Sequence, residues 1–462
     1  MCASLALWPL WSHAAELDLP RQPGTFWLQR DALPALKGAS ALPAAVEAIH
    51  FSSLAELTAH ALRQRPESRA AWLGIQAEAA RLDAASAANW PTLTGQFNFT
   101  RNRAQSSSGA SIPTLHRFGP SLSLSYVLYD FGARAASIDA QRYRLIAGLL
   151  TSNRSLQDVV AEVEAAYFAM LAARAQGSAQ EQQENALRVS VDAVETRIRG
   201  GLAARADQLR ARAALAEATL ARQTAGRDAA KAEAALKQAA GIAQTQALVL
   251  DWQTAAPATL ESPVLLADLL AEAIAQRPDL RALQAMVASA QAEADRARAA
   301  RWPSVSLGAS TGRTFFLEDE RSPSTTYSVG VTVSVPLFDG GRLAAQARAA
   351  QRDAERLQAE SEGQQALVAR TVAEAYYDVR NAQDSRDGVA VQFESASESA
   401  RAAEARYNAG VGSVLELLTA QADLARARQS AVQTDVDWLA AFSRLNHALG
   451  RLPADSSTTT SP

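Results

Sequence analysis

The sequence predicts a mainly helical chain with a membrane-type β portion. It reads as two tandem copies of one unit, each pairing a very long α-helical hairpin with two amphipathic strands. Three observations predict this fold. Short motifs recur at an offset near 210 residues, strict polar–apolar alternation occurs twice in each copy, and proline is absent from residues 121–256 and 337–452.

The chain has 462 residues, 48% hydrophobic and 20% charged, a globular rather than a disordered balance. Its net charge of −3 gives no electrostatic case for nucleic acid. Cys2 is the one cysteine, which excludes an intramolecular disulfide framework and a Cys-based zinc cluster. No run of 18 apolar residues occurs, so a membrane role needs a closed β-barrel rather than a spanning helix.

Residues 1–15 resemble the back half of a secretory signal: Leu5 to Trp11 is apolar, and Ser12 and Ala14 fit a cleavage site. A plain apolar tail is the other reading. Residues 16–52 form an N-terminal extension, and 451–462 form a polar tail expected to be disordered. Between them lie the first copy, 53–252, and the second, 253–450.

The duplication is visible residue by residue. Gln64-Arg65-Pro66 recurs as Gln276-Arg277-Pro278 and Trp90-Pro91 as Trp302-Pro303, both offset by 212. Asp130 and Asp339, Arg197 and Arg406, and Gly201 and Gly410 are offset by 209. One loop-length difference between Trp90 and Asp130 explains the change. Each copy opens with an Ala/Leu/Arg/Gln-rich helical stretch, 54–89 and 264–301, ending at the Trp-Pro step.

A β-hairpin follows, over 92–129 and 304–337. Leu93, Phe97 and Phe99, then Leu122, Leu124, Tyr126 and Leu128, alternate with polar residues. In the second copy Val305, Leu307 and Ala309 do so, then Tyr327 through Leu337 at every second residue. The polar face is largely serine and threonine. The long helical hairpins come next, over 132–240 and 341–449. The first arm of each, 68 and 69 residues, would be roughly 100 Å long, which demands a coiled coil or a strut. Gly200-Gly201, and Gly410 with Gly412, stop the arms and let a second helix return.

Four strands cannot close a barrel, for which about eight is the practical minimum. Pooling strands between chains would close it, and serine on the inner face suits a watery lumen. The other reading is a soluble sheet packed on the helices, which struggles to accommodate the long arms.

These residues resemble the TolC-type outer-membrane efflux and secretion channels over about 53–450. The carriers are the duplicated Trp-Pro, the run Val335-Pro336-Leu337-Phe338-Asp339-Gly340-Gly341-Arg342, and residues 406–421, Arg-Tyr-Asn-Ala-Gly-Val-Gly-Ser-Val-Leu-Glu-Leu-Leu-Thr-Ala-Gln. The resemblance implies a homotrimer with a 12-stranded barrel in outer-membrane lipid and a 12-helix α-barrel of about 100 Å. It places the protein in the outer membrane of a Gram-negative bacterium, with a large periplasmic extension. It further implies a periplasmic adaptor (membrane fusion protein) and an inner-membrane pump as partners, and no cofactor. The duct would be passive and gated at the periplasmic helix tips. The alternative function is a periplasmic coiled-coil adaptor or scaffold without a pore.

The resemblance also nominates residues. Asp207 matches the carboxylate of a latch between the two hairpins and Tyr407 its phenolic partner. The family's latch arginine is replaced by Gly412, with Arg205 or Arg406 as candidate substitutes. Glu416 matches an entrance ring of carboxylates that favours cations; the next acidic position is Thr419. Each has a plainer reading: Asp207 as a first-turn acid favoured by the helix dipole, Glu416 as a solvated charge, Tyr407 as packing beneath its turn. Gly201 and Gly410 read as helix stops under either view. Asp130 and Asp339 read as helix N-caps, and Trp90 and Trp302 as an interfacial aromatic belt or as core. Enzyme motifs are wanting: Asp130-Phe131-Gly132 lacks every other kinase element, and His13, His50, His60, His116 and His447 match no metal spacing.

Overall fold

The computed structural model describes residues 48–102, 115–250, 265–317 and 322–451. The leader expected at 1–15, most of the extension and the tail beyond 451 lie outside the described residues.

Each copy opens with two helices end to end. β1 (Ile49–Phe51) precedes the first copy, which begins with α1 (Leu54–Gln64) and α2 (Pro66–Ser86). The second begins with α5 (Leu266–Gln276) and α6 (Pro278–Ala299). The single helix expected over 54–89 and over 264–301 is thus split in two. Arg65 and Arg277 are extended (ψ 135° and 124°), and Pro66 and Pro278 start the next helix, where a missing N–H costs nothing.

The strands β2 (Thr92–Asn102), β3 (Leu115–Tyr129), β5 (Ser304–Phe316) and β6 (Ser324–Ser334) follow the two helical stretches. They form one antiparallel sheet in the order β2-β3-β5-β6, so β3 and β5 join the two copies. β6 ends at Ser334 rather than running to 337, because Pro336 cannot donate to a ladder. β4 (Leu248–Leu250) pairs in parallel with β1.

Two hairpins complete the chain: α3 (Ala133–Arg199) with α4 (Arg205–Ala240), and α7 (Arg342–Asn408) with α8 (Val414–Leu449). α3 and α7 have 67 residues each, roughly 100 Å at the helical rise. They run the full length of two four-helix walls. Toward the sheet the neighbours in order are α2, α3, α6 and α7; toward the far end they are α4, α3, α8 and α7.

Buried small residues recur every seventh position. Ala211, Ala218 and Ala225 do so on α4, and Ala347, Ala354, Ser361, Val368, Ala375 and Ala382 on α7. A strict seven-residue repeat keeps one seam facing its neighbour only if the helices supercoil left-handedly. Alanine at the seam lets the helix axes approach to about 8 Å.

Two apolar clusters sit midway along the long helices. One gathers Leu57, Val163, Met170 and Leu236; the other gathers Leu280, Val372, Val379 and Leu449. Arg65 and Arg277, both almost fully buried, clamp these regions. Arg65 donates to Glu162 at 2.5 Å, to Glu67 at 3.1 Å and to the Ala239 carbonyl at 3.3 Å. Arg277 donates to Asp279 at 2.6 Å and to the Ala448 carbonyl at 2.8 Å. Ala239 and Ala448 lie in the last turns of α4 and α8, where carbonyls lack helical partners. The repeated Gln-Arg-Pro motif is therefore a side-chain cap on the return helix.

Candidate functional site

Two regions carry the candidate residues: the sheet with its joints to the helices, and the far tips of the hairpins. In the sheet, paired residues share a face. Leu93, Leu124, Ala309 and Val329 align as one row across all four strands. The next row on the opposite face is Thr94, Ser123, Ser310 and Ser328, with the Ser310 and Ser328 hydroxyls 2.8 Å apart. The apolar face is open: Leu93, Phe97, Tyr327 and Val329 are 69–86% exposed. Among the described residues β2 and β6 have one neighbour each, leaving both sheet edges unpaired. No helix among the described residues is long and apolar enough to cross a membrane.

A β-bulge modifies the expected alternation. Val127 is opposite Ser306 and Tyr129 is opposite Val305, so Leu128 is the extra residue. The apolar row therefore passes to Tyr129 rather than to Leu128. Tyr129 meets Phe131 edge-on at 4.8 Å, and Phe131 stacks on Trp302 at 5.7 Å. Trp90 and Trp302 are 75% and 60% exposed, so neither is core within the chain.

The joints from sheet to helix are built alike. Asp130 Oδ2 accepts from the Arg134 N–H and Asp339 Oδ2 from the Leu343 N–H, both at 2.8 Å. The residues flanking the helices are Gly132 and Gly341, so each aspartate satisfies the first turn from two residues upstream. These backbone N–H groups hold the Asp339 carboxyl below its usual range.

At the tips, α3 and α7 end in matching turns. Gly201 and Gly410 are left-handed (φ 71° and 81°). Leu202 N–H donates to Arg197 O, and Val411 N–H donates to Arg406 O, the six-to-one bond of a Schellman stop. A side chain at Gly412 would meet the Tyr407 nitrogen at 3.0 Å and Arg406 at 3.1 Å. An arginine at this position would need the Arg406–Tyr407 backbone to give by a few tenths of an ångström. Arg205 forms no ion pair among the described residues, and Arg406 pairs with Glu416 at 2.9 Å.

Tyr407 is 3% exposed and belongs to an apolar cluster drawn from both hairpins, with Val191, Val194 and Ala211 from one and Val414 and Leu417 from the other. Its hydroxyl has no hydrogen-bond partner among the described residues. Burial pushes the phenol's pKa up; Arg197 opposes the shift and the Asp207 charge adds to it. Asp207 itself pairs with Arg210 at 3.3 Å. Asp207 and Tyr407 are thus near one another without a hydrogen bond between them. Glu416 sits in the first turn of α8, its N–H bonded to the Ser413 hydroxyl at 3.1 Å.

In the sequence Arg197 stands out only as a marker of the duplication. Its Nη2 donates to the Tyr407 carbonyl and, at 3.2 Å, to the Asn408 carbonyl. The guanidinium carbon lies 4.1 Å from the Tyr407 ring centre. Phe131 and the Arg65/Arg277 pair were likewise unassigned. Their visible signal was their place in or beside motifs that recur in the two copies.

An open sheet with a greasy face, mounted on four-helix walls of this length, defines a class of outer-membrane duct with a periplasmic helical extension. The chain belongs to the outer membrane efflux protein family, whose model matches residues 57–242 and 269–451. It is 32% identical over 405 residues to Protein CyaE of Bordetella pertussis, covering 86% of this chain and 85% of that one. It is 28% identical over 356 residues to the pyoverdine export outer membrane protein OpmQ of Pseudomonas putida, covering 75% and 73%. Its fold matches that of the outer-membrane channel OprN with a TM-score of 0.77 at 23% identity, covering 86% and 89% of the two chains. The protein is an outer-membrane channel of the efflux or secretion type.

Proposed function

We propose that three copies close their open sheets into one twelve-stranded barrel in outer-membrane lipid and their hairpins into one twelve-helix tunnel. The observation that carries this reading is the sheet itself: two unpaired edges, an exposed apolar face and a hydroxyl-lined opposite face. Such a sheet is untenable alone in lipid and becomes stable when its edges are paired in a ring. Its dimensions agree. Phe99, Phe118 and Phe315 form an aromatic row near the loop end, and Tyr129, Phe131 and Trp302 form another at the helix end. The eleven steps from Phe118 to Tyr129 span roughly 36 Å of strand. A 45° tilt reduces this to about 25 Å, the height of an outer-membrane apolar band. Trp90 and Trp302 then lie in the periplasm-side belt.

The channel makes and breaks no bond. A periplasmic adaptor and an inner-membrane pump deliver the cargo, and the tips at 199–206 and 408–414 gate it, with Asp207, Tyr407, Glu416, Gly201, Gly410 and Gly412 in the gating region. Glu416 contributes carboxylates to the entrance, each partly offset by Arg406.

Single-channel recording in planar bilayers tests this reading. The purified protein should conduct. Glu416→Gln should lower the cation-to-anion permeability ratio, because it leaves Arg406 without its counter-charge. An unchanged ratio removes Glu416 from the entrance, and a protein that stays soluble without detergent and never conducts supports a scaffold instead.

A further inference from the structure

We propose that Arg197 ties the two hairpins together at the tip and sets how readily the entrance opens; this rests on the gating reading above. Arg197 stands in the last turn of α3, in the first hairpin, and both of its carbonyl acceptors end α7, in the second. Those carbonyls are the negative end of a 67-residue helix, where a cation is favoured. The guanidinium also covers the Tyr407 ring, adding a cation–π contact. Among the described residues, the other polar contact between hairpins in this region is the neutral pair Ser190–Gln421, at 3.0 Å.

The duplication explains why one arginine bridges and its twin does not. Arg197 and Arg406 occupy the same place in the two copies, as do Asp207 and Glu416, and Arg210 and Thr419. In the second copy Thr419 carries no charge, so Glu416 is left to Arg406 within its own hairpin. In the first copy Arg210 takes Asp207. Arg197 then has no carboxylate in its own hairpin and reaches across to the other. Splaying the hairpins must draw the Tyr407 ring from beneath the guanidinium and expose the α7 carbonyls to water. The tie therefore runs through a ring face and main-chain oxygens, not through the phenolic hydroxyl.

The test is single-channel recording of the full-length protein, with thermal melts to check that each variant is folded. Arg197→Ala should raise the open-to-closed ratio on the order of tenfold, the effect of losing one charge-assisted hydrogen bond. Arg210→Thr, an exposed substitution, should raise it too, because Asp207 is then free to pair with Arg197. Arg352→Ala, an exposed change near the start of α7 and far from the tip, should leave the ratio at the wild-type value, and Tyr407→Phe, which keeps the ring and carbonyls, should open less than Arg197→Ala. Wild-type gating in both Arg197→Ala and Arg210→Thr, in a channel that conducts, overturns the proposal. So does a Tyr407→Phe variant that opens as far as Arg197→Ala, which transfers the tie to the hydroxyl. If neither wild type nor any variant conducts, the channel reading falls and this inference falls with it.

Discussion

Phe131 holds a left-handed backbone (φ 53°), and it is the one non-glycine residue among those described to do so. Its counterpart in the second copy is Gly340, at φ 68°. The strain of such a residue is on the order of 1 kcal/mol. Stacking on Trp302 and edge contact with Tyr129 oppose it, at roughly 0.5–1.5 kcal/mol per aromatic pair beyond area burial. Two substitutions separate these effects. Phe131→Ala loses the ring and keeps the strain; Phe131→Gly loses both. Phe131→Gly should therefore be the more stable of the two by about 1 kcal/mol, read as the difference in melting temperature in detergent. Equal melting temperatures would mean that the backbone relaxes once the ring is gone.

The split of each opening helix at an Arg-Pro step places a buried guanidinium under the C-terminus of the return helix. Removing Arg277 strands a half-buried Asp279 and uncaps α8. Arg277→Ala should cost roughly 3 kcal/mol, the usual loss on breaking a buried pair. Arg352→Ala, which removes an exposed i,i+3 pair with Glu355, should cost less than about 0.5 kcal/mol. A chemical or thermal melt comparing the two checks the assignment, and equal losses would remove the capping role. The long helices were legible in the sequence because no proline interrupts them and paired glycine motifs mark their ends. The split was not legible, because proline in a first helical turn looks the same on paper as proline that ends a helix. The Leu128 bulge escaped notice for a related reason: alternation continues through 128, and only pairing with β5 reveals the extra residue.

At the scale of the whole molecule, the chain is built to be incomplete. Its sheet has two free edges, and its apolar outer face is matched by no surface within the described residues. Composition and alternation alone make that incompleteness visible. The tip was less legible. Glycine stops could be read from the sequence, but the partner of Arg197 depends on which hairpin lies beside α3 and on Arg210 having claimed Asp207, and neither follows from spacing. In the proposed closed ring of copies each free β2 would pair with a neighbour's β6, leaving no edge. Native mass spectrometry of the detergent-extracted outer-membrane protein tests this most directly. A particle of three chains is the expected result, and a water-soluble particle of one chain would contradict the closed ring.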